Sequence, residues 1–213
     1  MTDTKLTARS ATTTATGDDL IMIVDDPSGT PASYKITRDN FFKGLQDIWI
    51  PASAMWARTT AGAGGLTKVE TGSNKINYQV FEFDTTTQEY VQFSVVFPRN
   101  YNNGTVKATF YWTNAAGLST ETVDWNIAGV ALSNDDALDT AMGTAITTTD
   151  TWIAQNDVHI SPQSSAITIA GTPADSDFVM FEISRKTSTD NMTGDARLLG
   201  VVLEITLDAA TAA

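Results

Sequence analysis

The feature that most constrains this chain is a two-residue alternation of apolar and polar side chains that recurs in five separate segments. In residues 105–113, Val106, Ala108, Phe110 and Trp112 alternate with Thr105, Lys107, Thr109 and Tyr111. Val91, Phe93, Val95 and Phe97 repeat the pattern, as do Val123, Trp125 and Ile127, then Val179, Phe181 and Ile183, and finally Leu199, Val201, Leu203, Ile205 and Leu207. Successive side chains of a strand point to opposite faces, so each segment reads as a strand with one face in a core. Weaker candidates at residues 53–57, 75–83, 158–160 and 166–170 bring the expected total to about eight or nine strands. Turn-rich stretches such as Arg99–Gly104 join them. The expected fold class is mainly β: an antiparallel β-sandwich, jelly-roll-like.

One segment breaks the pattern. Ser133 with Asp136 three residues later resembles a capping box, Asp135 and Asp136 suit a helix N-terminus, and Gly143 suits its end. A short helix inserted between strands is expected there.

The first 47 residues differ in character. Residues 1–17 are rich in threonine and alanine and carry too little apolar area to fold alone. Leu20–Val24 and Ser33–Ile36, separated by Pro27-Ser28-Gly29-Thr30-Pro31, read as a hairpin. A short helix is expected from Arg38, with Phe41, Phe42 and Leu45 on one face. Isolated hairpins are marginal in water, so this module needs a partner surface or copies of itself. The expected organisation is an attachment and assembly module over 1–47 and a sandwich over 48–213. Leu20, Ile21, Ile23, Tyr34, Ile36, Phe41 and Phe42 are the candidate attachment and self-association residues.

Composition narrows the chemistry. The 213 residues contain no cysteine and one histidine, His159, which excludes disulfides, thiolate metal sites, cysteine nucleophiles and histidine-cluster metal sites. A net charge of −12 repels phosphate backbones, so nucleic acid is not an expected partner. No run approaches the about 18 apolar residues of a membrane span, and the polar amino terminus does not read as a secretory signal. A Ser-His-Asp relay would have to use His159, but no Gly-x-Ser-x-Gly elbow accompanies it.

Asp135, Asp136 and Asp139, or Asp175 and Asp177, could ligate a hard cation. Helix capping accounts for the first set and a solvated turn for the second, so no metal and no cofactor is expected. Glu82, Asp124, Glu182 and Glu204 lie opposite apolar faces and could line a glycosidase cleft, but outward-facing polar residues have the same pattern. The protein is therefore expected to be non-enzymatic, with no catalytic residue. Five tryptophans raise the possibility of sugar stacking. Trp112 and Trp125 fall on apolar faces and read as core. Tyr90, Tyr111 and Trp152 stay as candidate glycan contacts, while Trp49 and Trp56 are expected to pack where the small module meets the sandwich. Ala61–Gly65 lacks the lysine of a phosphate loop and reads as a flexible connection.

Two sets of residues carry a family resemblance. Thr4–Ala8, Gly17–Asp26, Lys35-Ile36-Thr37 and Phe41-Phe42 resemble the short amino-terminal module of structural proteins of tailed bacteriophages. Ile48–Ala52, Trp125–Leu138 and Ser164–Gly171 resemble a sandwich domain of predicted virion proteins of marine bacterial viruses. The resemblance implies a non-enzymatic protein, a homotrimer contacting other virion proteins of tail or capsid, placed on the virion surface after synthesis in the bacterial cytoplasm. Its implied role is tail-fibre or receptor-contacting, with a host-surface glycan as a possible further partner. Capsid decoration, as a cement protein or head fibre, is the alternative within that class, and a carbohydrate-binding module is the alternative from another class. No membrane insertion is implied.

Overall fold

Placing hydrophobic side chains at alternate positions makes sheets that bury one face against another sheet, and this is how the chain is built. The structure is a computed structural model that describes residues 20–25, 32–37, 41 and 44–208. The expectations for residues 1–17, for Phe42 and for a helix beginning at Arg38 lie outside the described residues.

The described strands are, in order, β1 (Leu20–Asp25), β2 (Ala32–Thr37), β3 (Gly44–Pro51), β4 (Trp56–Ala57), β5 (Thr67–Glu70), β6 (Asn77–Phe83), β7 (Tyr90–Val96), β8 (Tyr101–Asn114), β9 (Thr122–Leu132), β10 (Ile146–Thr151), β11 (His159–Ile160), β12 (Ile169–Ala170), β13 (Phe178–Arg185) and β14 (Ala196–Leu207). The chain divides into two compact units, one spanning Met1–Gly44 with Asp208–Ala213 and the other Leu45–Leu207. In the first, β1 and β2 pair antiparallel with Ile23 opposite Tyr34 and Ile21 opposite Ile36. Leu20, Met22 and Tyr34 are exposed, Ile21, Ile23 and Ile36 half-buried. Phe41 is exposed, and Leu45, expected on a helix, is an exposed residue of β3.

The second unit is an antiparallel β-sandwich, jelly-roll-like. One sheet has the order β10-β9-β13-β7-β4, with β12 joined parallel to β9; the other has the order β11-β8-β14-β6-β5, with β3 paired to β14. Phe81, Phe93, Phe110, Trp112, Trp125, Ile127, Phe181, Leu198 and Val201 fill the space between the sheets, and Trp112 and Trp125 are fully buried, as their alternation requires. Phe83 and Trp125 meet edge to face at 5.3 Å, and Phe110 stacks on Trp125 at 5.8 Å, both favoured geometries for aromatic pairs.

The structure corrects several expectations. Residues 133–145 are irregular, with a turn at 134–135 and a bend at 138–139, and the inserted helix is absent. Half of the expected cap forms, since Asp136 Oδ2 accepts the Ser133 N–H at 2.8 Å, but Ser133 Oγ donates instead to Asp177 Oδ1. Asp135 takes a left-handed φ of 76°, which stops helix propagation. Asp177 is consequently buried and not in a solvated turn. Ala61–Gly65 is tied to β7, because Ala61 and Ala63 exchange backbone hydrogen bonds with Tyr90. The stretch Tyr101–Gly104 belongs to β8. In β14 the alternation slips at a bulge: Leu198 pairs with Trp112 and Gly200 with Tyr111, leaving Leu199 unpaired, so both Leu198 and Val201 point inward and Leu199 does not.

A buried ion pair fixes the link from β13 to β14. Arg185 is fully buried and donates from Nε and Nη2 to the two carboxylate oxygens of Asp190 at 2.5 and 2.8 Å. It also donates to the carbonyls of Phe83, Gly194 and Met192. A buried charge persists only when paired and hydrogen-bonded in this way.

Candidate functional site

A cavity of about 690 Å³ opens on the sandwich, lined by Trp49, Pro51 and Ala52-Ser53 from β3 and its following turn, by Lys68 of β5, by Asn77, Tyr78 and Gln79 of β6, by Tyr111 of β8 and by Leu199 of β14. Its aromatic wall follows from the alternation. In β3, Ile50 is buried and Ile48 half-buried, which turns Trp49 to the other face, where it is 48% exposed. In β8, Trp112 points into the core, so Tyr111 points out. Between them runs Gly200, the register partner of Tyr111. A Cβ built on Gly200 would overlap the indole of Trp49 and lie 2.6 Å from the Ile50 carbonyl. Glycine thus lets the two rings close over the strand, centroids 5.2 Å apart and nearly perpendicular. The bulge that frees Leu199 adds an aliphatic patch to the same cavity.

Apart from Asn77, the polar lining is uncommitted. Asn77 Nδ2 donates to Glu70 and to the Lys75 carbonyl, whereas the side chains of Lys68, Gln79, Ser53 and Tyr111 have no hydrogen-bond partner among the described residues. None of the lining residues is acidic.

Of the three candidate glycan contacts, Tyr111 lines this cavity. Tyr90 does not: it starts β7 in the opposite sheet, and the Arg58 guanidinium lies over its ring at 3.7 Å. Trp152 is half-buried, donates from Nε1 to Asn114 Oδ1 at 2.9 Å and packs against the core. Trp49 is a wall of the cavity, and Trp56 is an exposed residue of edge strand β4. The signal for Trp49 was present in Ile48-Trp49-Ile50, where the flanking isoleucines prescribe an outward tryptophan. Lys68, Tyr78 and Gln79 had no such signal, because β5 and the start of β6 are too polar to show a face.

The other candidates are distributed apart. Glu82 pairs with Arg197 at 2.6 Å on one sheet, which also carries Glu204; Asp124 and Glu182 lie on the other. Asp124 accepts hydroxyls from Thr149 and Thr189, and Glu182 accepts from Arg58 at 3.1 Å and Gln92 at 2.9 Å. Among the described residues no group of three or more His, Asp or Glu is placed to hold a metal ion. His159 is fully buried, stacked on Trp112 at 4.2 Å, with Nε2 accepting the Ile153 N–H at 2.9 Å and Nδ1 directed at the Asp157 carbonyl. Because Nε2 accepts, the proton sits on Nδ1, and the ring is fixed as a structural element. A second depression, of about 410 Å³ beside Arg58, Gln92 and Glu182, offers polar groups that already satisfy one another.

No family model matches the chain, and no curated protein matches it. Solved structures similar to it include a family 35 carbohydrate-binding module from Clostridium thermocellum, with 8% identity and a TM-score of 0.44 over 74% of this chain and 97% of that one. Others are the family 30 carbohydrate-binding module of a cellulosomal cellulase of Clostridium thermocellum, at 10% identity and a TM-score of 0.43 over 74% and 96%, and the CBM22-2 xylan-binding domain of Paenibacillus barcinonensis Xyn10C, at 17% and 0.41 over 71% and 91%.

Proposed function

We propose that this protein is a non-catalytic carbohydrate-binding protein and that the Trp49–Tyr111 groove is its site. The observation that carries the reading is the pairing of an exposed aromatic wall with uncommitted hydrogen-bonding side chains in one open cavity. A pyranose has an apolar C–H face and a rim of hydroxyls. The first is met by flat aromatic rings, and the second needs donors and acceptors that have no internal partner. The groove supplies both, and the carboxyl pair that glycoside hydrolysis requires is not among its lining residues.

The test is a glycan array probed with the intact protein and with Trp49→Ala and Tyr111→Ala variants. Binding by the parent that both variants lose is the expected result; a folded parent that binds nothing on a broad array overturns the reading.

A second reading is favoured by the exposed Leu20, Met22 and Tyr34 on β1 and β2, a hairpin too small to be stable alone. In it, residues 1–47 attach the chain to a phage particle and the sandwich meets a glycan on the host. Immunogold labelling of intact particles with antibodies against residues 48–213 tests it, and absence of label from every particle overturns it.

A further inference from the structure

Resting on the carbohydrate reading, we infer that the groove selects a saccharide bearing a carboxylate, and that Lys68 and Gln79 together form its receptor. The two residues are direct cross-strand partners in the β5–β6 pair. Their side chains therefore leave the same face, with Cβ atoms about 5 Å apart. Both line the cavity. A carboxylate presents two oxygens, and the pair presents an ammonium and an amide N–H side by side. One oxygen accepts from Lys68 Nζ and the other from Gln79 Nε2.

Three observations separate this pair from ordinary surface residues. Neither side chain is engaged elsewhere among the described residues, unlike the neighbouring Lys75, which pairs with Glu70 at 3.7 Å. Lys68 is the one charged residue in the lining, and the nearby carboxylate of Glu70 is engaged by Lys75 and Asn77 instead. The surrounding protein carries a net charge of −12, so long-range electrostatics disfavour an anionic ligand, and the exposed cation at the rim of the cavity is the local feature that opposes this. Charge-assisted hydrogen bonds are the stronger kind and direct specificity toward one substituent. The neighbouring Trp49–Tyr111 wall holds the sugar ring by stacking, whatever its charge.

The experiment is calorimetric titration of the full chain with matched oligosaccharides: a uronic-acid oligomer, the same oligomer as its methyl ester, and a sulfated oligomer of similar length. The expected result is about 10-fold tighter binding of the free acid than of the ester. Lys68→Met and Gln79→Leu should each reduce that preference, and Lys68→Arg should retain most of it. Equal affinity for acid and ester, lost with Trp49→Ala but untouched by Lys68→Met, overturns the carboxylate assignment and leaves the carbohydrate reading standing. Preference for the sulfated oligomer over the uronate overturns it also, by assigning a different anion. Failure of all three oligomers and of a broad glycan array to bind overturns both readings together.

Discussion

Trp49 and Tyr111 stand on strands that do not pair with each other, and they touch edge to face because the residue between them is Gly200. Their contact is thus a property of three strands. Trp49→Ala and Tyr111→Ala should each weaken glycan binding about 10-fold or more, with thermal stability nearly unchanged because both rings lie outside the core cluster. Affinity electrophoresis with a bound glycan, alongside thermal melts, checks both halves of this expectation.

Gly200→Ala should remove binding although no ligand-contacting side chain is itself replaced. The added methyl overlaps the Trp49 indole and crowds the Ile50 carbonyl, and overpacking of this kind costs about 1–3 kcal/mol. Combining it with Trp49→Ala relieves the first clash but not the second, so stability should recover in part and binding not at all. Denaturant midpoints of the single and double variants measure the recovery.

Asp190→Ala should be far more damaging than a surface charge deletion. It leaves the Arg185 guanidinium buried without its carboxylate, a loss of about 3–5 kcal/mol in comparable cases. Arg185→Lys should also destabilise, since an ammonium cannot reproduce the fork that reaches Asp190 and three carbonyls. Chemical denaturation of both variants is the check; Glu70→Ala, which removes a partner of the exposed Lys75 pair, serves as the control and should shift little.

Acid should weaken the fold in a defined window. The Thr86 hydroxyl, then the Thr86 and Thr87 N–H groups, hold the Asp84 carboxyl at about 2, below its ordinary 3.8. For Glu121, burial pushes upward but is outweighed by the Leu118 N–H, Thr193 and the charge of Arg185, so its value falls below the ordinary 4.5. Both folded-state values are depressed. Their stabilisation is therefore complete above the ordinary values and is lost as pH falls toward the folded ones. Melting temperature should drop between about pH 4.5 and pH 2, and Asp84→Asn should flatten the lower part of that drop. A variant profile parallel to the parent's would show that Asp84 does not contribute.

The sandwich was legible because its strands are long and one-sided: Val106–Trp112 and Val179–Ile183 bury the residues their alternation selects, and in Val91–Phe97 only Val95 stays half-buried. Strands without a face were not. β10 reads Ile-Thr-Thr-Thr-Asp-Thr and is held by hydroxyls, Thr147 donating to Asn126 and Thr149 to Asp124, a partnership invisible until β9 lies alongside. The helix expected at Ser133 failed for a similar reason. Its cap hydroxyl is claimed by Asp177, 44 residues away. At the groove, the chemistry of Tyr111 could be read locally, but Lys68 and Gln79 acquire meaning only through their pairing across β5 and β6.

The bulge in β14 has a consequence for how such a chain can diverge. A deletion elsewhere in a strand reverses the side-chain order of everything beyond it. At Leu199 the strand already carries one residue more than its partner, so losing that residue leaves Leu198, Val201 and Leu203 facing inward. The inheritance of a binding surface is here uncoupled from the inheritance of a core: the floor of the groove can gain or lose a residue across generations while the sandwich beneath it stays in register.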